Sequence, residues 1–288
     1  MTYRKVHRLL YAEEIMMNNT PVRQPFPTEA VPQIDPFLLL HHHKGKILPG
    51  SHPRQTGVDP HPHRGFSPVT FVVKGSLHHR DSRGNSQMVK TGGVQWLDAG
   101  RGILHSERAG KDLAEKGGNL EILQLWINTP QKHKMNEPRY IALQKNDLPT
   151  LEQNQSSTQV ICGKFKEIDG AVKTKIPLQI LQSTLQNGAN ISYRIPEEFN
   201  LIVYVISGKI KLKGYGFVEG LHAILFENEG SLLELQALEQ SQVLLLAAPP
   251  IKEKVVSHGP FVMNSQTEIM EAMRDYQMGK MGFLIEEF

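Results

Sequence analysis

Apolar and polar residues alternate over short runs through most of this 288-residue chain, and Gly, Pro, Asn and Asp end each run before it reaches helix length. Val69, Phe71 and Val73 alternate with Thr70, Val72 and Lys74; Ile210 and Leu212 alternate with Lys209, Lys211 and Lys213. Successive side chains of a strand point to opposite faces, so runs of this kind set one face on a core and the other toward solvent. Turn signals recur, as in Asp81-Ser82-Arg83-Gly84-Asn85 and Lys90-Thr91-Gly92-Gly93. Many short strands at this spacing predict an all-β chain of sandwich, jelly-roll or barrel type.

The length suggests two domains, and a faint repeat supports that. FVVKGSL (Phe71 to Leu77) is similar to YVISGKI (Tyr204 to Ile210), with Gly75 and Gly208 a domain's length apart. The boundary is placed in the polar stretch Gln131 to Arg139, giving domains 1–134 and 135–288, and Glu152 to Thr158 reads as an exposed loop of the second. Near the C-terminus, Ser265-Gln266-Thr267-Glu268 fits a capping box. Ile269, Met273 and Tyr276 then follow at helical spacing and Gly279 is a natural stop, so a short amphipathic helix packing on a barrel is expected there, at the end of the second domain.

Composition excludes several classes. Lys plus Arg is 32 and Asp plus Glu 29, a net charge of +3, with no basic run of the kind a dedicated nucleic-acid binder carries. Apolar stretches such as Leu201 to Ile206 and Val243 to Ala248 are far shorter than the roughly 20 residues of a membrane helix, and the apolar piece near the N-terminus is too short for a signal-peptide core. Cys162 is the single cysteine, which rules out an internal disulfide and a thiolate cluster. It lacks an activation signature and reads as structural. A soluble cytoplasmic protein is the default.

Histidine is the exception to this blandness. Of 13 in the chain, nine fall between His41 and His105. In His61-Pro62-His63, residues i and i+2 of a strand point to one face about 6.6 Å apart, close enough for both imidazoles to converge on one ion. Pro62 donates no ladder hydrogen bond, so the segment belongs at a sheet edge or strand start. His105 and Glu107 are again i and i+2, after the flexible Gly100 and Gly102. If both strands face one lumen, three histidines and a carboxylate make a site suited to Fe(II), and also to Mn, Ni, Cu or Zn, with positions left open for substrate or O₂. The adjacent His41-His42-His43 and His78-His79 point alternately to opposite faces and cannot chelate together, so surface or supporting roles suit them. Gly214-Tyr215-Gly216 precedes strand-like sequence and is no phosphate loop.

At these residues the chain resembles a known family. HPHRGF (His61 to Phe66), VQW (Val94 to Trp96), AGRGILHSE (Ala99 to Glu107), GPFVMN (Gly259 to Asn264) and YQMGKMG (Tyr276 to Gly282) are similar to pirin motifs, and the match runs from DPFLLL (Asp35 to Leu40) to near the C-terminus. The resemblance implies a bicupin, two cupin-type β-barrels in tandem. It implies one metal per chain, iron first, held in the first barrel by His61, His63, His105 and Glu107. The chain departs from the family pattern at Ser67-Pro68, His41, Gly92-Gly93 or Gly93-Val94, and Asp98, none of them a ligand position. Pro196-Glu197-Glu198-Phe199 stands where the second barrel would carry HPHRGF and His222 is isolated, so no metal is expected there.

The function this implies is a metal-dependent dioxygenase of the quercetin 2,3-dioxygenase type, acting with O₂ on a flavonol or related small aromatic enol, with Glu107 as ligand and proton acceptor. The alternative is a non-catalytic iron-binding redox sensor or transcription co-regulator acting through a protein partner. Neither a membrane nor direct nucleic-acid binding is expected.

Overall fold

The computed structural model describes residues 2–17 and 20–287. It divides into two compact units, each a β-barrel built from two facing antiparallel sheets. One unit comprises residues 20–22, 37–146 and 251–288; the other comprises residues 1–19, 23–36 and 147–250.

In the first of these, one sheet includes, in order, Arg139–Leu143, Val94–Asp98, Phe66–Lys74, Gly118–Asn128 and Phe37–Ile47. A four-stranded sheet runs Val58–His63, Ile103–Ala109, Ser76–Asp81, Ser86–Lys90. Val72 and Leu120 of one sheet pack with Leu77, Val89 and Ala109 of the other. The Phe66–Lys74 strand departs from the alternation read in the sequence: it is buried from Phe66 through Val72, Val73 is half-buried and Lys74 is exposed. Thr70, a polar alternate, points to a buried carboxylate rather than to water.

The second unit repeats the plan. Val6–Tyr11, His222–Phe226, Asn200–Ser207, Ser241–Ala248, Gln179–Leu185, Ser156–Cys162 and Thr150–Gln153 form one sheet, and Asn190–Arg194, Leu232–Ala237, Lys209–Leu212 and Gly216–Glu219 the other. Its interior is apolar: Leu181, Ile191, Tyr193, Val203, Val205, Leu233, Leu235 and Leu245 all belong to one buried cluster. Here alternation holds, with Ile210 and Leu212 buried and Lys211 exposed. The repeat seen in the sequence has a physical cause. Gly75 and Gly208 sit at φ +90° and +85° in the tight link between equivalent strands, and a Cβ there would lie 2.7 Å from Asn119 O and 2.3 Å from Ser241 Oγ.

Three sequence expectations are corrected. The polar stretch from Gln131 lies inside the first unit, because Lys134 is buried and Arg139–Leu143 pairs with Val94–Asp98. Glu152 to Thr158 is a hairpin: Asn154 and Gln155 take φ +47° and +60° and join paired strands, burying Ser156 and Thr158. The C-terminal helix, Gln266–Gln277, begins as expected at Ser265, which accepts from the Glu268 N–H, but it belongs to the first unit. Its buried residues are Ile269 and Ala272, and Met273 and Tyr276 remain partly exposed. Cys162 is buried, and burial pushes its thiol far above the usual range, in keeping with a structural role. No helix among the described residues is long and apolar enough to cross a membrane.

Candidate metal centre

The Val58–His63 strand forms the edge of its sheet, where Pro60 and Pro62 cost no ladder bonds. It pairs with Ile103–Ala109 so that His61 lies opposite His105 and His63 opposite Ile103, and a bulge then shifts the register before Glu107. This pairing converts two separate i, i+2 signals into one cluster. One ring nitrogen from each of His61, His63 and His105 lies within 4.8 Å of the other two, and among the described residues this is the only such group.

Hydrogen bonds fix which nitrogens converge. His61 Nδ1 is 2.7 Å from Asp59 O, and His63 Nδ1 is 3.4 Å from Pro260 O. A carbonyl only accepts, so both rings carry their proton on Nδ1 and keep a lone pair on Nε2. Those two Nε2 atoms face each other at 3.1 Å. Two lone pairs at that distance repel unless a cation lies between them. Adjacent ligands of an octahedral ion at about 2.1 Å are about 3.0 Å apart, so the spacing suits one. His105 Nε2 is buried with no hydrogen-bond partner. Burial, reinforced by neighbouring imidazoles, holds His63 and His105 well below the usual imidazole range, and burial also lowers His61. Three neutral, converging imidazoles, two buried and one half-buried, fit a metal ion better than any other ligand chemistry.

Glu107 lies on the same strand face as His105 but outside the 4.8 Å group. Thr70 donates to its Oε1 at 3.0 Å and Gln124 to its Oε2 at 2.9 Å, which makes it a buried, doubly held acceptor beside the histidines. Phe66 and Trp126 pack edgewise on His63, with ring centroids at 5.0 and 5.4 Å, and give the site an apolar wall.

Several contributors were not legible beforehand. Thr70 and Gln124 are single polar residues inside apolar runs, a signal that points to a polar lumen once the strand faces are known. His79 and Asp81 are buried behind His105. His41 and His42 are also buried, the latter 3.0 Å from Glu121, so a surface role does not describe them. In the second unit, the strands in equivalent positions pair Ile191 with Leu235 and Tyr193 with Leu233, where the first unit has its histidines.

Two family models match this chain: Pirin over residues 19–127 and the Pirin C-terminal cupin domain over residues 180–282. The chain belongs to the pirin family. Pirin-like protein 2 of Arabidopsis thaliana is 37% identical over 263 residues, covering 88% of this chain and 78% of the relative. Human pirin is 34% identical over 267 residues, covering 91% and 88%. A solved structure titled quercetin 2,3-dioxygenase, from Acinetobacter baumannii, is 33% identical with a TM-score of 0.91 over 99% of this pirin and all of that chain. The bicupin architecture expected from the motifs is thereby established for this pirin.

Proposed function

We propose that this pirin holds one divalent ion, iron in the first place, through His61, His63, His105 and Glu107, and uses it with O₂ to cleave a flavonol or related aromatic enol. The observation that carries the reading is the convergence of two facing Nε2 lone pairs and the partnerless His105 Nε2. The likeness to a quercetin 2,3-dioxygenase across the whole chain supports the choice of reaction.

A bound divalent ion would supply Lewis acidity toward the hydroxyl and ketone oxygens of such a substrate and, as Fe(II), electron-transfer capacity toward O₂. The protein's own part is positional and protolytic. The three imidazoles hold one face of the site rigidly through their own hydrogen bonds. Glu107 contributes one oxygen as fourth ligand and takes the enol proton on the other, and Thr70 and Gln124 fix the plane of the carboxylate during both tasks. Phe66 and Trp126 keep the surroundings apolar, which favours an aromatic substrate over water.

The test is O₂ consumption by anaerobically Fe(II)-loaded protein given quercetin, with His61→Ala as control. Uptake matching quercetin loss, absent in the variant, is the expected result. No uptake from protein shown to hold one iron per chain would overturn the oxygenase reading. Glu107→Gln is expected to keep the ion and lose turnover by 100-fold or more, on the order of a missing general base; full activity in that variant would remove the proton-acceptor role.

A further inference from the structure

The three imidazoles are not oriented in the same way. His61 and His63 take their tautomer from backbone carbonyls, which no side-chain substitution can change. His105 takes its tautomer from side chains. Its Nδ1 is 3.4 Å from Nδ1 of His79, and His79 Nε2 is 2.9 Å from Asp81 Oδ2. His105, His79 and Asp81 are 2%, 1% and 3% exposed, so water does not compete for these bonds. Strand pairing sets the line: Ser76–Asp81 runs beside Ile103–Ala109, with Asp81 opposite His105 and His79 opposite Glu107.

Both ends of the line are anchored. Asp81 Oδ1 accepts the N–H groups of Arg83 and Asn85 at 2.9 and 3.1 Å, and Oδ2 also accepts from Asn85 Nδ2 at 2.8 Å. The Tyr140 ring lies flat on His79, with centroids 3.8 Å apart and planes 5° from parallel. The stack fixes the plane of the His79 ring, and the bond between Nε2 and Asp81 fixes which nitrogen faces the carboxylate.

The logic of donors and acceptors then runs in one direction. An ionised carboxylate only accepts, so His79 must carry its proton on Nε2. That leaves a lone pair on His79 Nδ1, which must be met by a proton on His105 Nδ1. The lone pair of His105 is consequently on Nε2, the atom with no partner that faces the other two histidines. We propose that Asp81 and His79 are positioning residues that force His105 to present its Nε2 lone pair to the ion, through a chain of two tautomers ending in a carboxylate. The inference rests on the metal reading above and assigns to two further residues the setting of one ligand. It gives this pirin one ligand whose donor strength is under side-chain control, because a carboxylate polarises both rings in turn.

The informative variant is Asp81→Asn. It keeps the shape and an Oδ1 acceptor for the turn but presents an NH₂ group to His79. His79 must then accept at Nε2, carry its proton on Nδ1 and donate to His105, which moves the His105 proton to Nε2, where the ion should be. Two readouts are needed. Nitrogen-15 NMR of histidine-labelled metal-free protein is expected to show His105 protonated on Nδ1 in the wild type and on Nε2 in the variant, a switch that a merely structural role would not produce. Zn(II) affinity by chelator competition is expected to fall about 10- to 100-fold. His79→Phe, which retains the stack on Tyr140 and removes both nitrogens, is expected to lose affinity to a similar degree, and it serves if Asp81→Asn does not fold. His105 already protonated on Nε2 in the wild type, or wild-type Zn(II) affinity in both variants, would overturn the relay while leaving the metal site intact. A tautomer switch in protein that binds no Zn(II) at all would instead overturn the metal reading, and the proposal with it.

Discussion

Lys134 offers the sharpest test of how the metal-bearing barrel is held together. It is 1% exposed, and its ammonium donates to Gly65 O at 2.5 Å, Asn128 Oδ1 at 2.7 Å and Val262 O at 3.0 Å, one acceptor for each proton. The perturbation is Lys134→Met, which keeps the stem and removes the donor. Two effects oppose each other. Burial lowers the lysine from 10.5 to about 8, equivalent to about 3 kcal/mol against the charged form, and Met escapes this. Three hydrogen bonds from a charged donor contribute about 1.5–3 kcal/mol each, and Met leaves three buried oxygens unpaired. The bonds outweigh the burial, and a net loss of about 3 kcal/mol is expected, or roughly 6–12 °C in Tm for a chain of this size. Because Gly65 follows His63-Arg64, and Val262 follows Pro260 by two residues, His63 should also be less well held, and Zn(II) affinity should fall within tenfold. The assays are urea unfolding followed by near-UV circular dichroism and the same chelator competition. A neutral or more stable variant would refute the reasoning. The depressed pKa also predicts that the wild type gains about 3 kcal/mol over the variant as pH rises from 8 to 10.5, where the folded lysine has lost its proton and the unfolded one still holds it; absence of that gain would refute the burial cost.

Other perturbations follow from the same geometry. His41 is buried and held down at about 4, so its contribution is present above pH 6.5 and lost as pH falls toward 4; metal-free protein should lose about 2 kcal/mol from this group between pH 7 and pH 5, and His41→Phe should reduce that loss in urea titrations at the two pH values. Glu286 accepts two bonds from buried Arg108, at 3.0 and 2.6 Å; Glu286→Gln should cost about 2 kcal/mol, and an unchanged Tm would show the pair to be immaterial. Gly208→Ala would put a Cβ 2.3 Å from Ser241 Oγ at a φ of +85°, so a loss of at least about 2 kcal/mol is expected, and an unaffected unfolding midpoint would contradict the close approach.

Much of the site was legible because strand geometry is periodic. A His-x-His and a His-x-Glu each place two ligands on one face whatever the rest of the fold does, and His61, His63 and His105 do converge. Pro62 correctly marked an edge strand, since the missing N–H leaves few other places for it. Ser265 and Glu268 located a helix start through bonds within four residues. Polarity misled about exposure around the candidate site, although it held in the second unit at Lys211. Thr70, Gln124, His79 and Lys134 look like solvent-facing residues in the sequence, yet each is tied to a partner from a distant segment or across a strand pair, and Asp81 is buried although its partners are local.

Local rules thus determined the short strands, the glycine-enforced turns that make the two barrels similar, and the ligand pairs on single strands, because each depends on backbone geometry over a few residues. The tertiary structure alone decided which barrel has a polar interior, where the helix after Ser265 packs, and how His105 is oriented. Those outcomes depend on partners that only strand pairing brings together, and a buried polar side chain is stable only where such partners exist.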